Sequence, residues 1–327
     1  MSQDGNNITL PREFHFSTFS NSEEVNFWVF VVVLMMYLLI VLGNTMIATL
    51  ICLIYQLHTP MYFFLCNLAV QDILYASTTM PKLMAITATG NTDISFQGCI
   101  TQIFVFDFCI ITEFFLLVAM AFDRYVAIGI PLHYLLIMRR IVCVVMASTC
   151  WVIGGFNSLL FTLLISKLSF CSSKEIDHFF CDPKALLKLS CSDTTIIMST
   201  VFAEGVFFGF LPCLIVMSYA SIISTIVKIQ TSEGRRKAFS RCSSHLTIVI
   251  IFFGTSIGLY LKPQLDNSLE CDKFLSLLYV ALVPILNPLV YTLRNKQVLM
   301  SVTQIINKKS TAVKQKSKMA LNLRYPD

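Results

Sequence analysis

Seven runs of mainly apolar residues, at about 27–54, 60–81, 99–124, 141–165, 196–227, 243–261 and 273–293, constrain this chain more than any other feature. A helix needs about 20 such residues to cross the hydrocarbon of a bilayer, and each run reaches or approaches that length. Composition agrees: 56% of residues are hydrophobic and 13% charged, with a mean hydropathy of +0.72. Soluble domains carry roughly 25% charged residues, and no soluble fold hides this much apolar surface. The expected fold is an all-α membrane protein, a seven-transmembrane helix bundle surrounded by membrane lipid. Nucleic acid is not an expected partner.

Orientation follows from Lys and Arg, because basic loops stay on the cytoplasmic side. With the amino terminus outside, 16 of the 24 Lys and Arg residues fall inside and 8 outside, where 12 acids accompany them. The expected amino terminus is therefore extracellular. Residues 1–25 are polar, so no cleavable signal peptide is expected and the first span should act as its own insertion signal. The sequon Asn7-Ile8-Thr9 lies there and is a candidate for glycosylation in the lumen.

The organisation is one helical domain, 27–293, between an outer segment, 1–26, and a cytoplasmic tail, 294–327, with no internal repeat or Gly/Ser linker. The longest connection, about 166–195, is where cysteines gather. Of the 12 cysteines, Cys99, Cys171, Cys181, Cys191 and Cys271 face the oxidising side. Any four of them allow three pairings, and spacing alone does not choose.

Several blocks narrow the fold further. M-A-F-D-R-Y-V-A-I-G-I-P-L-H-Y, Met120 to Tyr134, sets the charged pair Asp123-Arg124, followed by Tyr125, at the end of the third run. Gly43-Asn44 sits in the first, L-H-T-P-M-Y-F-F-L-C-N-L-A-V-Q-D-I, Leu57 to Ile73, enters the second, and Ser218-Tyr219 lies near the inner end of the fifth. K-A-F-S-R-C-S-S-H-L, Lys237 to Leu246, opens the sixth run, and P-I-L-N-P-L-V-Y-T-L-R-N, Pro284 to Asn295, ends the seventh. Together these blocks resemble the odorant receptors, a branch of the rhodopsin-like (class A) G-protein-coupled receptors. The loop segments Ile176 to Asp182 and Leu186 to Thr194 are similar to those of the tetrapod, airborne-odorant (class II) subgroup. The resemblance covers roughly residues 10–300.

The resemblance carries expectations that spacing does not. It implies a rhodopsin-like bundle with a short amphipathic helix after the seventh span. Disulfides are implied between Cys99 and Cys181 and between Cys171 and Cys191, each contributing about 2–4 kcal/mol, with Cys271 left as a free thiol. The implied function is an odorant receptor of the plasma membrane, taking a small volatile ligand and activating a stimulatory, olfactory-type G protein that raises cyclic AMP. Coupling residues would be Asp123, Arg124, Tyr125, Tyr219, Asn287, Pro288 and Tyr291. The chain departs from the family at Ala69 (usually Ser), Gly129 (usually Cys), Arg241 (usually Thr) and Phe253 (usually Tyr). Many rhodopsin-like receptors hold the arginine with an acid at the base of the sixth span. Here R-R-K-A-F-S-R offers none, so appreciable basal activity is expected. The basic residues Arg235, Arg236 and Lys237 either touch G protein or serve only as topological charge.

Four intramembrane acids, Asp72, Asp107, Glu113 and Glu204, mark candidate sites, because a charge at mid-bilayer costs at least about 2.5–3.5 kcal/mol. Asp72 and Glu113 both lie about 16–20 Å from the cytoplasm at 1.5 Å per residue, so they must share a proton or hold a cation. The resemblance favours a sodium-type site with Asn44 and Asn287, and the alternative is a hydrogen-bond network with no ion. No other metal and no cofactor is expected. Asp107 and Glu204 lie roughly 12 Å deep on the third and fifth spans. They suit a ligand that donates hydrogen bonds, such as a cationic amine, or else they face a neighbouring helix or carry a proton. Phe106, Ile110, Ile111, Phe207, Phe253, Ile257 and Tyr260 complete an apolar candidate pocket.

Other classes fit less well. A transporter of seven spans usually shows repeats or Gly/Pro-broken helices at mid-membrane, and neither is visible. An enzyme is not expected, since the chain has no H-E-x-x-H or G-x-S-x-G. A chemosensory receptor used outside the nose fits the same residues.

Overall fold

A computed structural model of the chain describes residues 13–18, 20, 22–170, 174–261, 277 and 280–290, except for the side chains of residues 208, 241 and 256–261. Asn7, Cys171, Cys271, Tyr291, the tail with its expected amphipathic helix, and the side chains of Ile257 and Tyr260 therefore lie outside the described residues.

The helices follow the apolar runs. They are α1 (Glu23–Leu53), α2 (Pro60–Thr89), α3 (Phe96–Gly129), the short α4 (Tyr134–Ile137), α5 (Arg140–Ser166), α6 (Pro183–Leu189), α7 (Thr195–Val227) and α8 (Ser232–Leu261). An apolar helix, α9 (Val280–Val290), follows. The spans in order are thus α1, α2, α3, α5, α7, α8 and α9. Among the described residues α1, α3, α5 and α7 are long and apolar enough to cross a membrane, and α8 is a fifth if its two segments, inclined by 43°, form one span. Helix α2 is as long but more polar, because it carries Asn67, Gln71, Asp72 and Lys82.

Local chemistry sets the ends. Pro60 begins α2, where a missing N–H costs nothing, and Gly90 ends it at φ 68°, the left-handed cap that glycine adopts without strain. Ser95 Oγ accepts from Gly98 N–H at 3.1 Å to cap α3, and Asp182 caps α6 through Ala185 N–H at 3.0 Å. Ahead of α7, the Asp193 carboxylate accepts from the hydroxyl and the N–H of Thr195, which holds its pKa below the usual carboxylate range.

One end of the bundle carries a small sheet, which hydropathy did not foretell. Strand β1 (Glu13–Phe16) lies between β2 (Asp93–Ser95), to which it is antiparallel, and β3 (Glu175–Ile176), to which it is parallel. Its alternation turns Phe14 and Phe16 inward, where both are buried with Ile103, Phe161, Ile165 and Leu186. The Cys99–Cys181 disulfide closes in the same cluster. Cys191 is also disulfide-bonded, while its expected partner Cys171 is outside the described residues.

Helix α3 is the axle, packed against α2, α5, α7 and α8. A long core at the other end joins Leu57, Leu65, Leu116, Met120, Tyr219, Ile222, Ile248 and Phe252. The outward faces of α1, α5 and α7 expose Trp28, Leu42, Phe156, Phe202 and Phe210, an apolar girdle that a bilayer covers and water would not.

Candidate functional site

Mid-bundle, α2, α3 and α9 bring buried polar groups together. Asn287 Nδ2 donates to Asp72 Oδ2 at 2.8 Å, and Gln71 Nε2 donates to Glu113 Oε2 at 3.2 Å. The Asp72 and Glu113 carboxyls are close enough to interact electrostatically. Asp72, Glu113, Gln71 and Asn287 are all essentially inaccessible to solvent. Asn44 joins through the backbone, its Nδ2 donating to the carbonyls of Ile40 and Pro284 at 3.0 and 3.1 Å. Among the described residues Asp72 Oδ1, Glu113 Oε1, Gln71 Oε1 and Asn287 Oδ1 have no hydrogen-bond partner. Each such buried acceptor costs about 1–3 kcal/mol if nothing meets it. An oxygen-only donor set suits a hard cation, so the residues fit the ion that the sequence suggested. Gln71 is the member missed there; the signal was a second polar side chain beside Asp72 in mid-span.

A small cavity opens beside this cluster, lined by Tyr75, Ile110, Glu113, Phe252, Val283 and Pro284, with free room for about one water-sized group. Room for one water-sized group is far below the roughly 300–1,000 Å³ of most ligand pockets. One turn outward on α3, Phe106 stacks on Tyr75 and meets Phe180, each at 5.0 Å between ring centres.

The structure distributes the remaining pocket candidates. Asp107 accepts from Ser158 Oγ at 2.7 Å and Glu204 accepts from Asn157 Nδ2 at 2.8 Å, so both carboxyls are engaged by neighbours on α5. Ile111 is buried. Phe253 packs edge-on against Phe114 at 5.3 Å, and its neighbour Phe252, not singled out from sequence, reaches the cavity. Phe207 is 54% exposed on α7, with its ring 6.4 Å from that of Phe115. Of the nine candidates, Ile110 lines this cavity and Phe106 stands over it.

At the opposite end from the sheet, Arg124 donates through Nε to Asp123 Oδ2 at 2.8 Å and through Nη2 to the same oxygen. Tyr134 donates its hydroxyl to the other oxygen, Oδ1, at 2.8 Å. Burial, reinforced by the Asp123 charge, pushes the Tyr134 phenol pKa up, so it remains a donor. The Tyr219 hydroxyl sits 2.7 Å from His245 Nδ1 and 3.2 Å from the Cys242 carbonyl, stitching α7 to α8. Among the described residues the guanidinium itself is hydrogen-bonded to Asp123, as expected, and the Tyr134 and Tyr219 bonds restrain its surroundings. Tyr125 is half-buried, and its ring faces the space at Gly129, where an added Cβ would make ordinary contact at 3.5 Å. Pro288 explains Gly43, since a Cβ there would come 3.1 Å from Pro288 Cγ. Beside Tyr134 the loop exposes Leu132 by 92% and Leu135 by 82%, with Leu136 next to them.

Comparison with known proteins places this architecture. The family described as "Olfactory receptor" matches residues 33–309. The chain is 44% identical to olfactory receptor 1G1 of Gorilla gorilla gorilla over 304 residues, covering 93% of this chain and 97% of that protein. It is 48% identical to olfactory receptor 1E16 of Mus musculus, covering 81% of this chain and 85% of that protein. Against olfactory receptor 2B2 of Homo sapiens the identity is 42%, covering 92% of this chain and 85% of that protein. Extended likeness at this identity, joined to a bundle with an arginine latched at one end and a buried polar cluster at its centre, leaves one conclusion: the chain belongs to the olfactory receptor family, as a seven-span plasma-membrane receptor that couples odorant binding to G proteins and is not an enzyme.

Proposed function

We propose that this receptor binds a small volatile odorant, with amines among its ligands, and activates a stimulatory olfactory-type G protein that raises cyclic AMP. The observation that carries the coupling end is Arg124, half-buried against Asp123 at the mouth of the bundle with exposed Leu132 and Leu135 beside it. An exposed apolar patch rimmed by basic residues such as Arg139 and Arg140 suits a docking partner. Ligand binding shifts the bundle only by its differential affinity for the two arrangements. In the active arrangement Arg124 leaves Asp123, the Tyr219–His245 stitch opens, and Tyr219 and Tyr291 face the freed guanidinium.

Asp107 and Glu204, acids set within the third and fifth spans where a charge is costly, support an amine as ligand. The four orphan oxygens support sodium in the central cluster, held by Asp72, Glu113 and Asn287 with Gln71. Its chemistry there would be neutralisation of two carboxylates. Replacing sodium by choline should then lower the melting temperature of the wild type but not of Asp72→Asn; equal melting of the wild type in both salts would remove the ion. The disulfide beside β1 supports an outer, oxidising location for the amino terminus, where Asn7 would be glycosylated.

The test of function is cyclic AMP in cells carrying this receptor with the olfactory stimulatory G protein, against volatile amines, alcohols, aldehydes and acids, with surface staining alongside. Dose-dependent accumulation that Arg124→Ala abolishes is expected. Responses through an inhibitory G protein alone would overturn the stimulatory assignment.

A further inference from the structure

We infer that Gln102 is a positioning residue for odorant selection: it fixes the Phe180–Cys181 peptide against α2 and α3, and so sets where the Phe180 ring stands over Phe106. The inference rests on the odorant reading above, with Phe106 as a ligand contact, and holds whichever odorant class leads. Gln102 is buried in α3, one turn after Cys99. Its Nε2 donates to the Thr78 carbonyl of α2 at 2.8 Å, and its Oε1 accepts from Cys181 N–H at 2.9 Å. Thr78 lies in the turn before Pro81, inside α2, where the missing proline N–H interrupts the helix ladder and a side-chain donor from α3 braces it.

The peptide held in this way is planar and joins Phe180 to Cys181, so pinning its N–H fixes the direction in which the Phe180 ring leaves the chain. Its carbonyl is engaged too, accepting from Asp182 N–H at 2.8 Å. The Cys99–Cys181 disulfide ties the connection between α5 and α7 to α3 at one point, and the Gln102 bond adds the second point that stops it turning. Phe180 is 4% exposed. Its ring lies 5.0 Å from that of Phe106, which in turn stacks 5.0 Å from Tyr75. The three rings form a column that descends from this connection to the small cavity, which Tyr75 also lines. An odorant lying against Phe106 therefore meets Phe180 as a wall, and the depth of that wall limits the length of chain the site receives.

The experiment uses the full-length receptor with surface labelling, and reads potency across butyl to octyl aldehydes, alcohols and primary amines for the wild type, Phe180→Ala, Gln102→Leu and the double variant. Phe180→Ala should raise the octyl-to-butyl potency ratio by about tenfold or more, since each methylene in an apolar pocket counts for about that much. Gln102→Leu, of similar size but with neither bond, should move the ratio in the same direction, and the double variant should move it no further than Phe180→Ala does. A merely structural Gln102 would lower surface staining without moving the ratio. An unchanged ratio in Phe180→Ala overturns the inference, even where Gln102→Leu fails to reach the surface. An unchanged ratio in Gln102→Leu at normal staining, or shifts that multiply in the double variant, overturns it too and leaves the odorant reading standing. Silence of the wild type toward the whole panel of volatile amines, alcohols, aldehydes and acids would instead end the odorant reading, and the inference with it.

Discussion

Tyr134 and Asp123 are joined by a 2.8 Å hydrogen bond that ties the loop after α3 to the carboxylate holding Arg124. The two residues are eleven apart in the chain, and the α3 cap at Ile130 and the short turn Pro131–His133 bring them together. A hydrogen bond to a charged group contributes about 1.5–3 kcal/mol. Tyr134→Phe should therefore raise basal cyclic AMP severalfold at equal surface density. An unchanged baseline would show that the bond is not part of the resting restraint.

The Tyr219–His245 contact is a second restraint, across α7 and α8. With His245 fully buried and its ring stacked 5.9 Å from that of Tyr219, removing the Tyr219 hydroxyl takes the partner from His245 Nδ1, while removing His245 leaves that hydroxyl the Cys242 carbonyl. A double-mutant cycle of Tyr219→Phe and His245→Leu, read by thermal melting of purified receptor, should give a coupling of about 0.5–3 kcal/mol. Strict additivity would mean that the two residues are merely neighbours.

Gly154 marks where α5 presses on α3. A Cβ at that position would collide with Thr112 Oγ1 and come 3.3 Å from the Phe108 carbonyl. Gly154→Ala should destabilise the receptor by about 1–3 kcal/mol and reduce surface delivery, and Thr112→Ala should restore part of the loss. Normal delivery of Gly154→Ala would show that the helices separate freely.

The Cys99–Cys181 bond closes 82 residues of chain over the end of the bundle that carries the sheet. Its removal by Cys99→Ser should cost about 2–5 kcal/mol and abolish surface staining. Staining at wild-type level with an intact odorant response would show that the sheet and its buried phenylalanines hold the cap unaided.

Hydropathy alone located the spans, because crossing a bilayer is a property of a contiguous stretch. It understated their lengths where helices run on past the apolar run, as α2 does from 81 to Thr89 and as α8 does over Ser232–Cys242. It missed the sheet, whose strands are two to four residues long and are paired across 78 and more positions.

The central cluster was legible because acids in a membrane helix are costly wherever they face, and two at one depth invite a common site. Which acid meets which partner was not. Asp107 and Glu113 are six residues apart on α3, a rotation of about 240° at 3.6 residues per turn, so one faces α5 and the other the cavity. Only the packed rotation of α3 decides that assignment. The sequence by itself determined the seven apolar spans and the arginine at the end of the third, since those are properties of single segments. The tertiary structure decided that Asp107 and Glu204 turn to Ser158 and Asn157 on α5 while Glu113 turns to Gln71 on α2, since a hydrogen-bond partner belongs to the neighbouring helix and not to the residue's own sequence.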